Sequence, residues 1–168
     1  YAANAGDLMR IQRATGEIND AKLLIDGSSG PTIDYIRAVA RRWKREHNVG
    51  FIAIDYLQLL KSKSKQAQFS REREIAEISA GIKGLAKDLT IPVIVAVQLN
   101  RDVEQGTGRR PRLSDLRESG EIEQTADVVA LLHREKDEYG QMASETEVIM
   151  AKNRNGRRAR MARATASM

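Results

Sequence analysis

Cysteine is absent from the 168 residues, which excludes disulfides and thiolate metal sites. No apolar run approaches the roughly 20 residues that a membrane-spanning helix needs, and the first residues lack the basic-then-apolar pattern of a signal peptide. A cytoplasmic protein with no membrane partner is therefore expected. His47 has no metal-ligating side chain at useful spacing. Nor does a Gly-Lys pair occur, so the sequence contains no Gly-x-x-x-x-Gly-Lys-Ser/Thr loop to wrap the β- and γ-phosphates of a nucleotide.

The length suffices for one domain with its own core, and 41% apolar content agrees with that. The net charge of +5 is unevenly distributed. Six bases and no acid lie in residues 152–168, which leaves 22 bases against 23 acids in the body of the chain. Contact with a polyanion must then come from local patches, not from a general positive field.

Residues 51–60, Phe-Ile-Ala-Ile-Asp-Tyr-Leu-Gln-Leu-Leu, form an apolar run holding one acid. Such a run predicts a strand of a parallel sheet buried on both faces, where an ionised carboxylate is costly. Asp55 is therefore expected at the strand's carboxyl end, as a cap of the next turn or as a ligand-edge acid suited to Mg²⁺ beside nucleotide phosphates. Residues 90–97 read as a second buried strand ending at Gln98, whose amide can hold a water or tie the strand end to the next loop. Residues 22–26, 127–133 and 145–151 read as further strands.

Helical spacing of Ile33, Ile36, Val39, Ala40 and Trp43 predicts a helix over 33–47, capped by Thr32, with a solvated basic outer face. Ile75, Ile78, Ile82, Leu85 and Ala86 mark the buried stripe of a helix over 71–88. Residues 1–20 carry only a short helical pattern at Leu8, Met9 and Ile11. Between strands and helices, Lys61, Lys63 and Lys65 sit in a polar, aperiodic stretch. It is either a surface loop or a phosphate-backbone contact. Arg109, Arg110 and Arg112 make the loop over 100–113 basic.

Asp55-Tyr56-Leu57-Gln58-Leu59, Val97-Gln98-Leu99-Asn100-Arg101, the run Ser114 to Gln124 and Ala151-Lys152-Asn153-Arg154-Asn155-Gly156 follow one another in this order. Together they resemble the carboxyl-terminal motor domain of the DnaB-type replicative DNA helicases. The resemblance covers nearly the whole chain up to Gly156. It implies an α/β, three-layer RecA-like P-loop NTPase core with a mostly parallel sheet, its amino-terminal part missing because the phosphate-binding loop would lie upstream of Tyr1.

The implied activity is that of a ring-shaped ATP-dependent helicase, a homo-hexamer that draws single-stranded DNA through its channel and unwinds duplex at the fork. ATP and Mg²⁺ are the implied cofactors. Asp55 would hold the metal through water and Gln98 would sense the phosphate. Lys152 and Arg154 would reach the γ-phosphate bound to the neighbouring subunit. Arg117, Glu118 and Gly120, with Lys61, Lys63 and Lys65, would face DNA; otherwise Arg117 and Glu118 form a buried pair that shapes their loop. Primase and a helicase loader are the family's further candidate partners, and a bacterial or phage origin is implied. Without the phosphate-binding loop the isolated chain is expected to be inactive.

Residues 1–156 are thus expected to form a partial motor domain and 157–168 a basic tail outside it, since Arg157 to Met168 has neither strand alternation nor aromatic anchors. Two other readings stay open. One is an interaction module or inhibitor with no ATPase activity of its own; the other is a strand-exchange protein of the related recombinase group.

Overall fold

Thr32 opens the first well-packed helix: its hydroxyl accepts from the Tyr35 N–H, and Asp34 lies in the first turn. Lys44, Arg45 and His47 lie in the last turn, so both ends carry charge that complements the helix dipole. The computed structural model describes residues 5–62, 64, 70–100, 109–116, 119–135, 143–156 and 160–165. In chain order it places α1 (Ala5–Asp20), α2 (Ile33–His47), β1 (Ile52–Ile54), a 3-10 turn (Leu57–Leu59) and α3 (Arg71–Leu89). There follow β2 (Val93–Val95), a second 3-10 turn (Leu113–Asp115), α4 (Ser119–Thr125), β3 (Val128–His133), β4 (Glu145–Asn153) and β5 (Arg160–Thr165).

β1 and β2 pair in parallel, Ile52 beside Val93 and Ile54 beside Val95, with α3 as the crossover. β3, β4 and β5 form an antiparallel sheet. The sequence predicts a mostly parallel sheet; among the described residues the parallel part is this single pair, and the larger sheet is antiparallel. A β-bulge between Val129 and Ala130 shifts the β3–β4 register and re-aims the last residues of β4.

One apolar core runs beneath both sheets. Ile75, Ile78 and Ile82 from α3 meet Ile33 from α2, Ile122 from α4 and Val129 and Leu131 from β3, with Ile54, Val93 and Val95 packed against them. Ile75, Ile78 and Leu85 are fully buried, and each such side chain contributes about 1.5–3 kcal/mol by leaving water. Gly81 lets α2 and α3 approach closely, since a Cβ there would lie 2.5 Å from Ile33 Cγ1.

Several expectations change. Among the described residues β1 and β2 are covered on one face only: Ile94 is 61% exposed, and on β3 Leu132 is 65% exposed. Residues 22–26, expected as a strand, have no strand partner among the described residues and are largely exposed. The short pattern near Leu8 extends into the full helix α1, whose Leu8, Met9, Ile11 and Ile18 stay exposed. Arg160–Thr165, expected as part of a tail, pairs with β4 from Glu145 to Ile149. Arg and Ala are weak strand formers, and the pairing edge of β4 overrides that local preference.

Candidate functional site

β1 ends at Ile54, and Asp55 follows immediately at the carboxyl rim, exposed. The parallel ladder continues past the strand ends: the Ala96 N–H donates to the Ile54 carbonyl at 2.9 Å, and the Leu57 N–H donates to the Ala96 carbonyl at 2.9 Å. These bonds fix the chain on either side of Asp55, whose peptide bond to Tyr56 is cis. Gln98 lies two residues beyond Ala96 and is also exposed. Asp55 and Gln98 thus leave neighbouring strands at the same rim.

No cluster of three or more acidic, histidine or cysteine side chains capable of holding a metal occurs among the described residues. A lone exposed carboxylate still suits Mg²⁺, which keeps several waters and takes its other ligands from phosphate oxygens. The chemistry of Asp55 fits that ion, held through water, and does not fit a dedicated protein cage. Just beyond, both polar atoms of the Gln58 side chain are buried and find no hydrogen-bond partner among the described residues.

Lys152 and Arg154 lie at the far end of β4, and the structure engages both within the chain. The Lys152 ammonium donates to the Glu123 carbonyl. Arg154 Nη2 donates to the Gln124 carbonyl at 3.0 Å, and Nη1 to Asp127 Oδ1 at 3.0 Å. These carbonyls belong to the last turn of α4, where unpaired C=O groups attract cations. The other oxygen of Asp127 accepts from Lys83 on α3. That hydrogen bond, together with the charges of Lys83, Arg154 and Lys152, holds the Asp127 carboxyl below its ordinary range.

A second acid organises the approach to α4. Asp115 accepts from Arg109 through both oxygens, at 2.7 and 2.8 Å, and from the Arg112 N–H at 2.7 Å. The Arg109 hydrogen bonds lead the causes that lower its pKa to about 2. Arg110 pairs with Glu147 and Glu135. Two of the three arginines expected to make this loop basic are therefore neutralised by acids of the same chain. Sequence reasoning missed Asp115, Asp127 and Lys83 as organising residues; an Asp directly before the apolar run 128–132 was the one available signal.

Of the expected DNA-facing residues, Lys63, Lys65, Arg117 and Glu118 lie outside the described residues. Lys61 is exposed, its N–H bonded to the Pro31 carbonyl at 3.2 Å. Gly120 stands in the first turn of α4, with open space among the described residues where a Cβ would be. A cleft of about 490 Å³ between α2 and α3, lined by Thr32, Arg37, Ser62, Ser64, Glu77 and Gly81, contains none of the expected site residues.

A parallel pair joined by a helical crossover, with an acid at its carboxyl rim, is an arrangement found in the RecA-like ATPase domains. Solved structures agree. One chain of a DnaB-like replicative helicase, studied with its interactions with primase, superposes with TM-score 0.79 at 38% identity, covering 92% of this chain and 37% of that one. A second solved structure, of an ATPase domain, also gives 0.79 at 38% identity, over 94% of this chain and 55% of that one.

The family model for the DnaB-like helicase C terminal domain matches residues 2–165, and the chain belongs to that family. The replicative DNA helicase DnaB of Leifsonia xyli is 49% identical over 152 residues, and that of Geobacillus stearothermophilus 44% over 154. Each alignment covers 89% of this chain and 33% of the relative, so the chain spans about a third of the length of the curated relatives it matches. The family match extends beyond Gly156 to residue 165, through the segment that pairs as β5.

Proposed function

We propose that this chain is part of the motor of a ring-shaped, ATP-dependent replicative DNA helicase, with the phosphate-binding loop supplied by a segment preceding Tyr1. The observation that carries the reading is the family match over residues 2–165 together with Asp55 standing at the carboxyl rim of β1. Mg²⁺ bound beside the nucleotide would neutralise charge on the phosphates. Asp55 would hold that ion through water, and Gln98 would hydrogen-bond the attacking water or the γ-phosphate without adding charge. Arg154, assisted by Lys152, reaches off the tip of β4 to the γ-phosphate of the adjoining subunit, where a guanidinium stabilises charge spreading over the transferring group.

Lys61, Lys63, Lys65, Arg117, Glu118 and Gly120 meet the backbone of single-stranded DNA in the channel of a homo-hexamer. A cytoplasmic, bacterial or phage setting and a primase partner complete the proposal.

Mixing two inactive variants of the complete protein tests it. Asp55→Asn removes the metal-edge acid and Arg154→Ala the finger, and each alone loses ATP turnover. If the site is shared between subunits, random mixed rings regain activity at roughly a quarter of their interfaces. A mixture as inactive as its parents, or a fully active Arg154→Ala ring, defeats the composite motor.

A further inference from the structure

Asp127 holds Arg154 at both ends. Its carbonyl accepts from the Arg154 backbone N–H at 2.8 Å, and its Oδ1 accepts from Nη1 at 3.0 Å. Lys83, only 25% exposed, bonds the other carboxylate oxygen and so fixes which edge Asp127 turns toward the arginine. Gln124 takes Nη2 through its carbonyl. Among the described residues two of the five guanidinium N–H donors are thereby used, and the side chain is still 49% exposed.

An ordinary surface ion pair joins two loose side chains and fixes neither of them. Here one aspartate at the entry to β3 ties the backbone and guanidinium of Arg154, just past β4, to a lysine of α3. A long arginine is useful to a reaction only when its position is set before the reaction starts, since disorder there is lost rate.

We propose that Asp127 is the positioning residue for Arg154, presenting the remaining N–H groups of its guanidinium to the nucleotide of the adjoining subunit. Lys152 is gripped by the same end of α4, the helix that directly follows Arg117 and Glu118 in the chain. The cations and the expected DNA loop are thus attached to opposite ends of one seven-residue helix. The inference rests on the proposed function.

In the complete protein, Asp127→Asn is expected to lower kcat for ATP roughly a hundredfold while KM stays within about twofold, because the nucleotide itself binds elsewhere. Asp127→Asn combined with Arg154→Ala is expected to be no slower than Arg154→Ala alone. Effects that multiply in the double variant, or a wild-type kcat in Asp127→Asn, overturn the inference. If Asp127→Asn does not assemble, Asp127→Glu decides: it keeps the charge but displaces the carboxylate by a methylene. A kcat loss at constant KM then supports the role, and a wild-type kcat removes it. Full turnover by Arg154→Ala alone overturns both this inference and the function beneath it. With Arg154→Ala inactive, a silent Asp127 removes only the positioning role.

Discussion

Asp55 and Asp127 flank apolar strands in opposite senses, one leaving β1 and the other entering β3, yet the fold treats them differently. Asp55 is exposed, and no hydrogen bond or ion pair engages its side chain among the described residues. Asp127, 48% exposed, is bonded by Lys83 and Arg154. Exposed pairs add at most about 1 kcal/mol each, so the contacts of Asp127 matter for geometry more than for stability. An acid left open at a strand end is free to serve something outside the chain; one tied to two other segments sets the chain's own parts.

The sharpest way to break that contrast is Asp55→Asn in the complete protein. Turnover is expected to fall by a few hundredfold or more, while unfolding free energy moves by less than about 0.5 kcal/mol. A loss of stability comparable to the loss of activity would place Asp55 in the architecture instead. Ile78→Ala acts in the opposite way: Ile78 is fully buried in the core shared by both sheets, and its truncation should cost about 3 kcal/mol in denaturant unfolding. Loss confined to one sheet by hydrogen exchange would show that the core is two cores.

Asp115 supplies the smallest effect and a pH signature. Its folded pKa of about 2 lies below the ordinary 3.8, so its contribution is present above that ordinary value and is lost as pH falls through the folded one. Asp115→Asn should therefore cost about 2 kcal/mol near neutral pH, with the gap to wild type closing between pH 4 and 2. A gap independent of pH would mean that shape, not the Arg109 pair, is what Asp115 provides.

The elements most legible in the sequence were those whose burial pattern is local. The stripe Ile75, Ile78, Ile82 and Leu85 reads directly as the buried face of α3, and Thr32 as the cap of α2. Residues 22–26 and Arg160–Thr165 were misread in opposite directions, for one reason: a strand exists only where another strand offers its edge. Apolar Leu23, Leu24 and Ile25 find no such edge among the described residues, whereas basic Arg160 to Thr165 finds β4. Charge was equally opaque. Arg109 and Arg110 look like a free basic loop until Asp115, Glu147 and Glu135 are seen beside them.

The order of motifs along the chain fixed the family, and the apolar run before Asp55 fixed its place at a strand end, because a carboxylate cannot remain inside such a strand. Tertiary structure alone decided which acids are occupied. Lys83, Asp127 and Arg154 are separated by 44 and 27 positions in sequence, and only the packing of α3 and α4 against the sheets brings them together.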